Sequence, residues 1–139
     1  MLEAPLTLLV DGANVVGSRP DGWWRDRAGA AARLADALGA LAVAGAPAAA
    51  LGVAGSHAWP AIELVLEGAA RPAAERTVPG LTQHAAAADG DGALVELAGH
   101  RIGEGRAVVV VTADRGLRER LAAEGAAAIG PGALLALLA

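Results

Sequence analysis

Three acidic residues share a context that could do chemistry. Asp11 ends the apolar run Leu8-Leu9-Val10 and is followed by Gly12, Ala13 and Asn14. Asp91 lies in a Gly-rich turn that follows a strand pattern and opens a helix pattern. Asp114 stands just past the run Val108-Val109-Val110-Val111-Thr112. In an open parallel sheet, ligands bind outside the carboxyl ends of the strands. All three acids belong at that edge. Carboxylates gathered there repel one another and call for a cation. With no Cys in the chain and no His pair at metal spacing, the suited ion is hard and oxygen-loving, Mg²⁺ or Mn²⁺. Such a site suits in-line attack of water on a phosphodiester, with the ion activating the nucleophile and stabilising developing charge.

Each acid also has a plain structural use. Asp91 and Asp114 both sit where a helix N-cap belongs, and Asp is among the best caps. Asp11 could bond the backbone of the turn that follows it. Asp89 reads as a solvated turn residue. Glu96, about one turn into the helix after Asp91, could add a carboxylate to the metal set or could lie on a solvated face. Glu67 closes a strand at the same edge as an accessory acid. His57, His84 and His100 are scattered; His84 could approach the site from its strand, and a structural or exposed role suits each.

The elements that must position these residues follow from the hydrophobic pattern. Strands are predicted over 6–11, 62–67, 81–86, 107–112 and 126–129. Residues 12–26 read as a loop. A helix is predicted over 26–44, with Asp26 as its N-cap and Leu34, Leu38 and Leu41 on one face; Gly45 and Pro47 end it. Residues 46–60 are Ala- and Gly-rich and give no firm assignment, although Trp59-Pro60 reads as packing. Residues 68–80, with two prolines and mixed charge, read as a surface connection. Further helices are predicted from the 89–92 turn to Ile102, from Asp114 through Leu117 and Leu121, and over 133–138. Strands that alternate with helices imply parallel pairing and right-handed crossovers. The expected fold class is α/β, a three-layer sandwich on a parallel sheet of about four to five strands.

Composition bounds the rest. A chain of 139 residues suggests a single domain, 1–139, with a proper core. Hydrophobic residues make up 55%, yet Phe and Tyr are absent, so Leu, Val and Ala must build that core. There is no disulfide framework and no thiolate metal site. The first ten residues carry Glu3 and Pro5 and lack a basic start, unlike a signal peptide. No apolar stretch reaches the ~20 residues that span a bilayer. The expectation is a soluble, cytoplasmic protein without membrane partners. A net charge of −4 argues against bulk electrostatic binding of duplex DNA.

The stretches around the three acids resemble the PIN-like nuclease superfamily, specifically the NYN group and its YacP-like branch. Leu9-Val10-Asp11-Gly12-Ala13-Asn14-Val15-Val16 resembles the family's opening strand with its Asp and nearby Asn. Thr112-Ala113-Asp114-Arg115-Gly116-Leu117-Arg118 resembles its Thr-x-Asp-x-x-Leu step from strand to helix. Gly90-Asp91-Gly92-Ala93-Leu94-Val95-Glu96 resembles a segment that usually reads Asp-Asp before an apolar helix start. The loop Gly17-Ser18-Arg19-Pro20-Asp21-Gly22-Trp23-Trp24-Arg25-Asp26 is most similar to actinobacterial members. The resemblance runs in order along nearly the whole chain and is loose over 46–80.

It implies a PIN-like fold whose acids bind Mg²⁺ or Mn²⁺ and whose members cut RNA. Carried over by position, Asp11, Asp91 and Asp114 would hold the metal. Asn14 would orient Asp11 or a phosphate. The second acid of the Asp-Asp pair is Gly92 here, which weakens the acidic set.

Trp23 and Trp24 are two of only three Trp in a chain with no other aromatic residue. Bases of single-stranded nucleic acid stack on aromatic rings while basic residues follow the phosphates. Arg19, Arg25 and Arg27 supply charge beside them, and Arg115 follows Asp114. Packing of one Trp beneath the loop is the structural use that competes with this. Arg115 and Arg118 share their helix with Glu119, as on a solvated or paired face.

The leading expectation is a metal-dependent ribonuclease acting on single-stranded or structured RNA. The alternative is a PIN-like module that binds RNA or a protein partner without cutting. A dinucleotide-binding domain is opposed because Asp11-Gly12-Ala13-Asn14 lacks the Gly-rich phosphate loop. A phosphatase of the HAD type is opposed because Ala13 stands where that class needs a second Asp. The apolar C-terminal helix leaves room for a homodimer.

Overall fold

The computed structural model describes residues 4–139; Met1 to Glu3, part of the N-terminal segment discussed above, lie outside them. Strand β1, Leu6–Asp11, runs into helix α1, Gly12–Gly17. Helix α2 spans Arg27–Ala44. A short antiparallel ribbon follows, β2 Ala46–Pro47 with β3 His57–Ala58. Then come β4 Ala61–Leu66, β5 Leu81–Ala85, α3 Gly90–Gly103, β6 Ala107–Val111, α4 Arg115–Glu124, β7 Ala127–Ile129 and α5 Pro131–Leu138.

The main sheet has five strands in the order β5-β4-β1-β6-β7, and all its pairings are parallel. β1 is the middle strand. Its residues 8–10 are fully buried, as a strand covered on both faces requires. Alternate residues feed two cores. Leu8 and Val10 join Leu34, Leu38, Ile62, Leu64 and Leu134 beneath α1, α2 and α5. Leu9 joins Val65, Val110, Leu94, Leu117 and Leu121 beneath α3 and α4. The result is the three-layer α/β sandwich that the alternating pattern predicts. Among the described residues no helix is long and apolar enough to cross a membrane.

The chain leaves β1 toward β4 and β5 and then returns to β6 on the other side of β1. The connections after β1 and β6 therefore diverge to opposite faces. That divergence opens a crevice at the carboxyl ends of the two strands, the usual place for a ligand in such sheets.

Several expectations about the connections are corrected. Residues 12–26 are not all loop, because α1 begins directly at Gly12. The Asp11 carboxylate caps that helix by accepting the Asn14 N–H, and the missing Cβ of Gly12 lets it lie against β4. A Cβ there would stand 2.7 Å from the Val65 carbonyl oxygen and 2.8 Å from Leu66 Cδ2. Residues 68–80 are more than a surface connection. Gly68–Glu75 forms 3₁₀ turns, and Ala73 and Val78 enter the core under α2. Gly39 of α2 permits this approach, since a Cβ there would meet Val78 Cγ1 at 2.7 Å. Trp59 does not pack inside. It is 66% exposed and tilts against the His57 ring at 4.5 Å.

Candidate functional site at the carboxyl edge of the sheet

Asp11 is the buried member of the edge, 6% exposed at the end of the middle strand. Its two oxygens are held from different sides. Oδ1 accepts the Asn14 N–H at 3.3 Å, and Oδ2 accepts the Thr112 hydroxyl at 3.0 Å. Thr112 Oγ1 in turn accepts the Asp114 N–H at 3.2 Å. The side-chain oxygen of Asn14 does not reach Asp11; it accepts the Ala113 N–H at 2.9 Å. Asn14 and Thr112 thus stitch the end of β1 to the end of β6, where the crevice opens.

Asp114 caps α4 by accepting the Leu117 N–H at 2.9 Å. The expected cap at Asp91 is corrected. The N-cap of α3 is Asp89, whose carboxylate accepts the Gly92 N–H at 2.6 Å. Asp91 lies one position inside the helix, in its first turn, and so is released from capping. Glu67, just beyond β4, accepts the Gly90 N–H and anchors the same helix start.

The electrostatics tie these carboxylates together. Burial pushes the Asp11 carboxyl above its ordinary value; the hydrogen bonds from Asn14 and Thr112 oppose that, and repulsion from Asp91 and Glu67 adds to it. Burial also raises Asp91, with repulsion from Asp114, Glu67 and Asp89 adding and Arg120 opposing. A carboxylate raised by its neighbours gains when a cation arrives. Among the described residues, however, no three His, Cys, Asp or Glu side chains stand close enough to form a metal cage. Mg²⁺ keeps several waters and is commonly held by one or two carboxylates together with substrate phosphates. The carboxylates of Asp11, Asp91 and Asp114 are oxygen donors of the type such an ion takes.

The other sequence-singled residues divide. Glu96 does not join the edge. It is largely exposed and faces His100 one turn further along α3, at 4.0 Å. Trp23 and Arg27 line a cleft of about 350 Å³ beside Gly12 and Glu67, with the Arg27 guanidinium 5.2 Å from the Trp23 ring centroid. Trp24 turns outward, 55% exposed, with Arg25 5.7 Å from its ring centroid. Arg19 lies apart, in a hollow with Asp21 and Arg33. Arg115 is exposed at the start of α4. Arg118 is engaged by structure, its Nε donating to the Thr112 carbonyl at 2.8 Å.

Two features are hard to find by spacing. Thr112 links Asp11 to Asp114, but a Thr at a strand end is unremarkable on its own; only its place in a Thr-x-Asp step marks it. Glu63, inside β4, is buried with a charge. It accepts Arg101 Nε at 2.7 Å and Nη2 at 2.9 Å, and lies 2.8 Å from His84 Nε2. His84 is therefore a partner of Glu63 and not of the acidic edge.

The fold, a five-stranded parallel sheet with helices on both faces and Asp11 at the carboxyl end of its middle strand, is found in solved proteins. Two crystal structures of Rae1 (YacP) from Bacillus subtilis share the fold. One superposes with a TM-score of 0.70 at 16% identity, over 95% of this chain and 72% of that one. The other, a W164L mutant, gives 0.67 at 16% identity, over 96% of this chain and 74% of the other. No family model matches the sequence, and no curated protein matches it.

Proposed function

We propose that this chain is a metal-dependent ribonuclease, a YacP-like NYN domain of actinobacterial type that occupies 1–139 and acts in the cytoplasm on single-stranded or structured RNA. The observation that carries the reading is the buried Asp11 at the end of the middle strand, held on both oxygens by Asn14 and Thr112 and joined through the same Thr112 to the backbone of Asp114, at the switch point of the sheet. Asp11, Asp91 and Asp114 would hold Mg²⁺ or Mn²⁺. When bound, such an ion supplies an activated water and offsets charge on the phosphoryl oxygens.

The chain's own residues do the rest. Thr112 and the Asn14 backbone fix both oxygens of Asp11, so that carboxylate is presented in one orientation. Asn14 ties the two sides of the crevice together through Ala113. Trp23, Trp24, Arg25 and Arg115 would grip an unpaired strand by stacking and phosphate contact.

The test is calorimetric titration with Mn²⁺ on the wild type and on Asp11→Asn, with RNA cleavage followed in the same buffers. Saturable binding lost in the variant, together with metal-dependent cleavage, is the expected result. Absence of both binding and cleavage at millimolar Mn²⁺ would refute it. A second reading, a module that binds RNA without cutting, is favoured by Gly92 in place of an acid and by the lack of a three-carboxylate group among the described residues. Retained RNA binding with no metal uptake would select it. Association through α5 as a homodimer is part of the proposal and is read by sedimentation.

A further inference from the structure

The cleft beside Asp11 has a composition unlike a general phosphate-binding surface. Its lining is largely apolar, with Val16, Leu66 and Ala70, and Trp23, Arg27 and Glu67 each bring one distinct chemistry to it. At about 350 Å³ it sits at the small end of ligand pockets, ~300–1,000 Å³. Only one carboxylate lines it, which does not suit a cation site. One aromatic plane, one guanidinium and one carboxylate in an otherwise apolar lining suit a flat heteroaromatic ring attached to an anion.

Glu67 narrows the ring. Its Oε2 accepts the Gly90 N–H, which fixes the side chain, and no donor among the described residues reaches Oε1. A carboxylate offers only acceptors, so it favours a base edge with adjacent donors. Guanine presents its N1–H and N2 amino group side by side. Adenine and cytosine place a ring acceptor beside their amino group, and uracil flanks its N–H with two carbonyls. The lone-pair acceptors on those bases would face the carboxylate and be repelled.

We propose that the cleft is a guanine subsite, in which Trp23 stacks on the base, Glu67 accepts from N1–H and the N2 amino group, and Arg27 meets the attached phosphate. It rests on the nuclease reading for the source of the base, an unstacked guanine in RNA next to the acidic edge. A free guanine nucleotide offers the same chemistry.

Nuclear magnetic resonance of the metal-free protein tests this apart from cleavage. The chain has three Trp, so three indole N–H signals report on Trp23, Trp24 and the remote Trp59. GMP, AMP, CMP and UMP carry the same phosphate and are titrated in turn. The Trp23 signal is expected to move with GMP at least tenfold more tightly than with the others. Glu67→Gln keeps an acceptor for Gly90 and is expected to remove that preference, and Trp23→Leu to weaken all four nucleotides, with the Trp59 signal confirming the fold. Equal affinity for the four, or shifts at Trp24 without Trp23, would overturn the proposal. An oligouridine with one central guanine is then compared with plain oligouridine. Tighter binding of the first, with the same Trp23 shift, supports the RNA source. GMP binding without that gain overturns it in favour of a free nucleotide. Loss of cleavage with guanine binding intact would refute the nuclease reading alone.

Discussion

Burial raises the Asp91 carboxyl above its ordinary value, repulsion from Asp114, Glu67 and Asp89 adds to that, and Arg120 opposes it. A carboxylate whose folded value is raised above its unfolded value costs stability once pH exceeds the unfolded value, near 4, and the full cost is present above the folded value. Asp91→Asn removes that charge, although it also gives up a favourable interaction with the N-terminal end of α3. The net expectation at pH 7 is a gain of roughly 0.5 kcal/mol, at the low end of stabilising substitutions, seen as a small rise in Tm that vanishes near pH 3. Mn²⁺ should reverse the order of the two proteins. At ~100 times its Kd a bound ion adds about 2.7 kcal/mol to the wild type and little to the variant. Metal affinity should also fall with acidification, starting at a higher pH than for ordinary carboxylates, because Asp11 and Asp91 must both lose protons to bind. Calorimetric scans with and without Mn²⁺ between pH 3 and 8 read all three effects. A variant less stable than wild type in metal-free buffer at pH 7 would contradict the electrostatic account.

At the scale of elements, the placement of Asn14 depends on α1 lying tight against β4, and Gly12 is what allows it. Gly12→Ala puts a methyl group 2.7 Å from a backbone oxygen, which cannot rotate away. Overpacking of this kind costs about 1–3 kcal/mol. Chemical denaturation should show that loss, and displacement of α1 should weaken Mn²⁺ binding by stretching the contact from Asn14 to Ala113. That contact also marks what the sequence made legible. The five strands, α2, α3, α4 and α5 follow from runs and periods long enough to read, and the parallel layout brings Asp11 and Asp114 to one edge. α1 was not legible because six residues give less than two turns of pattern, and its stability comes from a cap and a close approach in three dimensions. Asp89 and Asp91 were exchanged as caps because two Asp in a Gly-rich turn fit the same signal, and only the helix start distinguishes them. Glu63 reads as a polar residue inside a strand; its partners lie 21 and 38 positions away, beyond any local pattern.

Across the whole molecule, two carboxylates of one strand segment hold α3 at both ends. Glu67 accepts the Gly90 N–H at the start of the helix, and Glu63 takes two hydrogen bonds from Arg101 near its end. Glu63 lies within β4 and Glu67 just beyond its end, and each reaches α3. This double tether sets the position of Asp91, which no hydrogen bond of its own fixes among the described contacts. Burial pushes the Glu63 carboxyl up, but the hydrogen bonds from Arg101 and His84 outweigh it and leave it below its ordinary value. Its contribution is therefore present above the unfolded value, near 4.5, and is lost as pH falls through the lowered folded value. Arg101→Met keeps the aliphatic stem and strands a 5%-exposed carboxylate with His84 alone. Removing one partner of a buried pair costs ~3–5 kcal/mol; with His84 still present the loss should be nearer 2–3 kcal/mol, a fall in Tm of roughly 6–12 °C at this size. The deficit should be largest at neutral pH and shrink as the pH falls from the unfolded value through the lowered folded value of Glu63, because protonation there takes the pair away from the wild type as well. Because the helix that carries Asp91 is loosened, Mn²⁺ affinity should fall as well, although Arg101 lies at the opposite end of α3 from the acids. Denaturation curves at pH 7 and pH 3.5, with Mn²⁺ titration at pH 7, measure both. A deficit independent of pH would mean that Arg101 acts only by packing, and unchanged metal affinity would mean that Glu67 suffices to place Asp91.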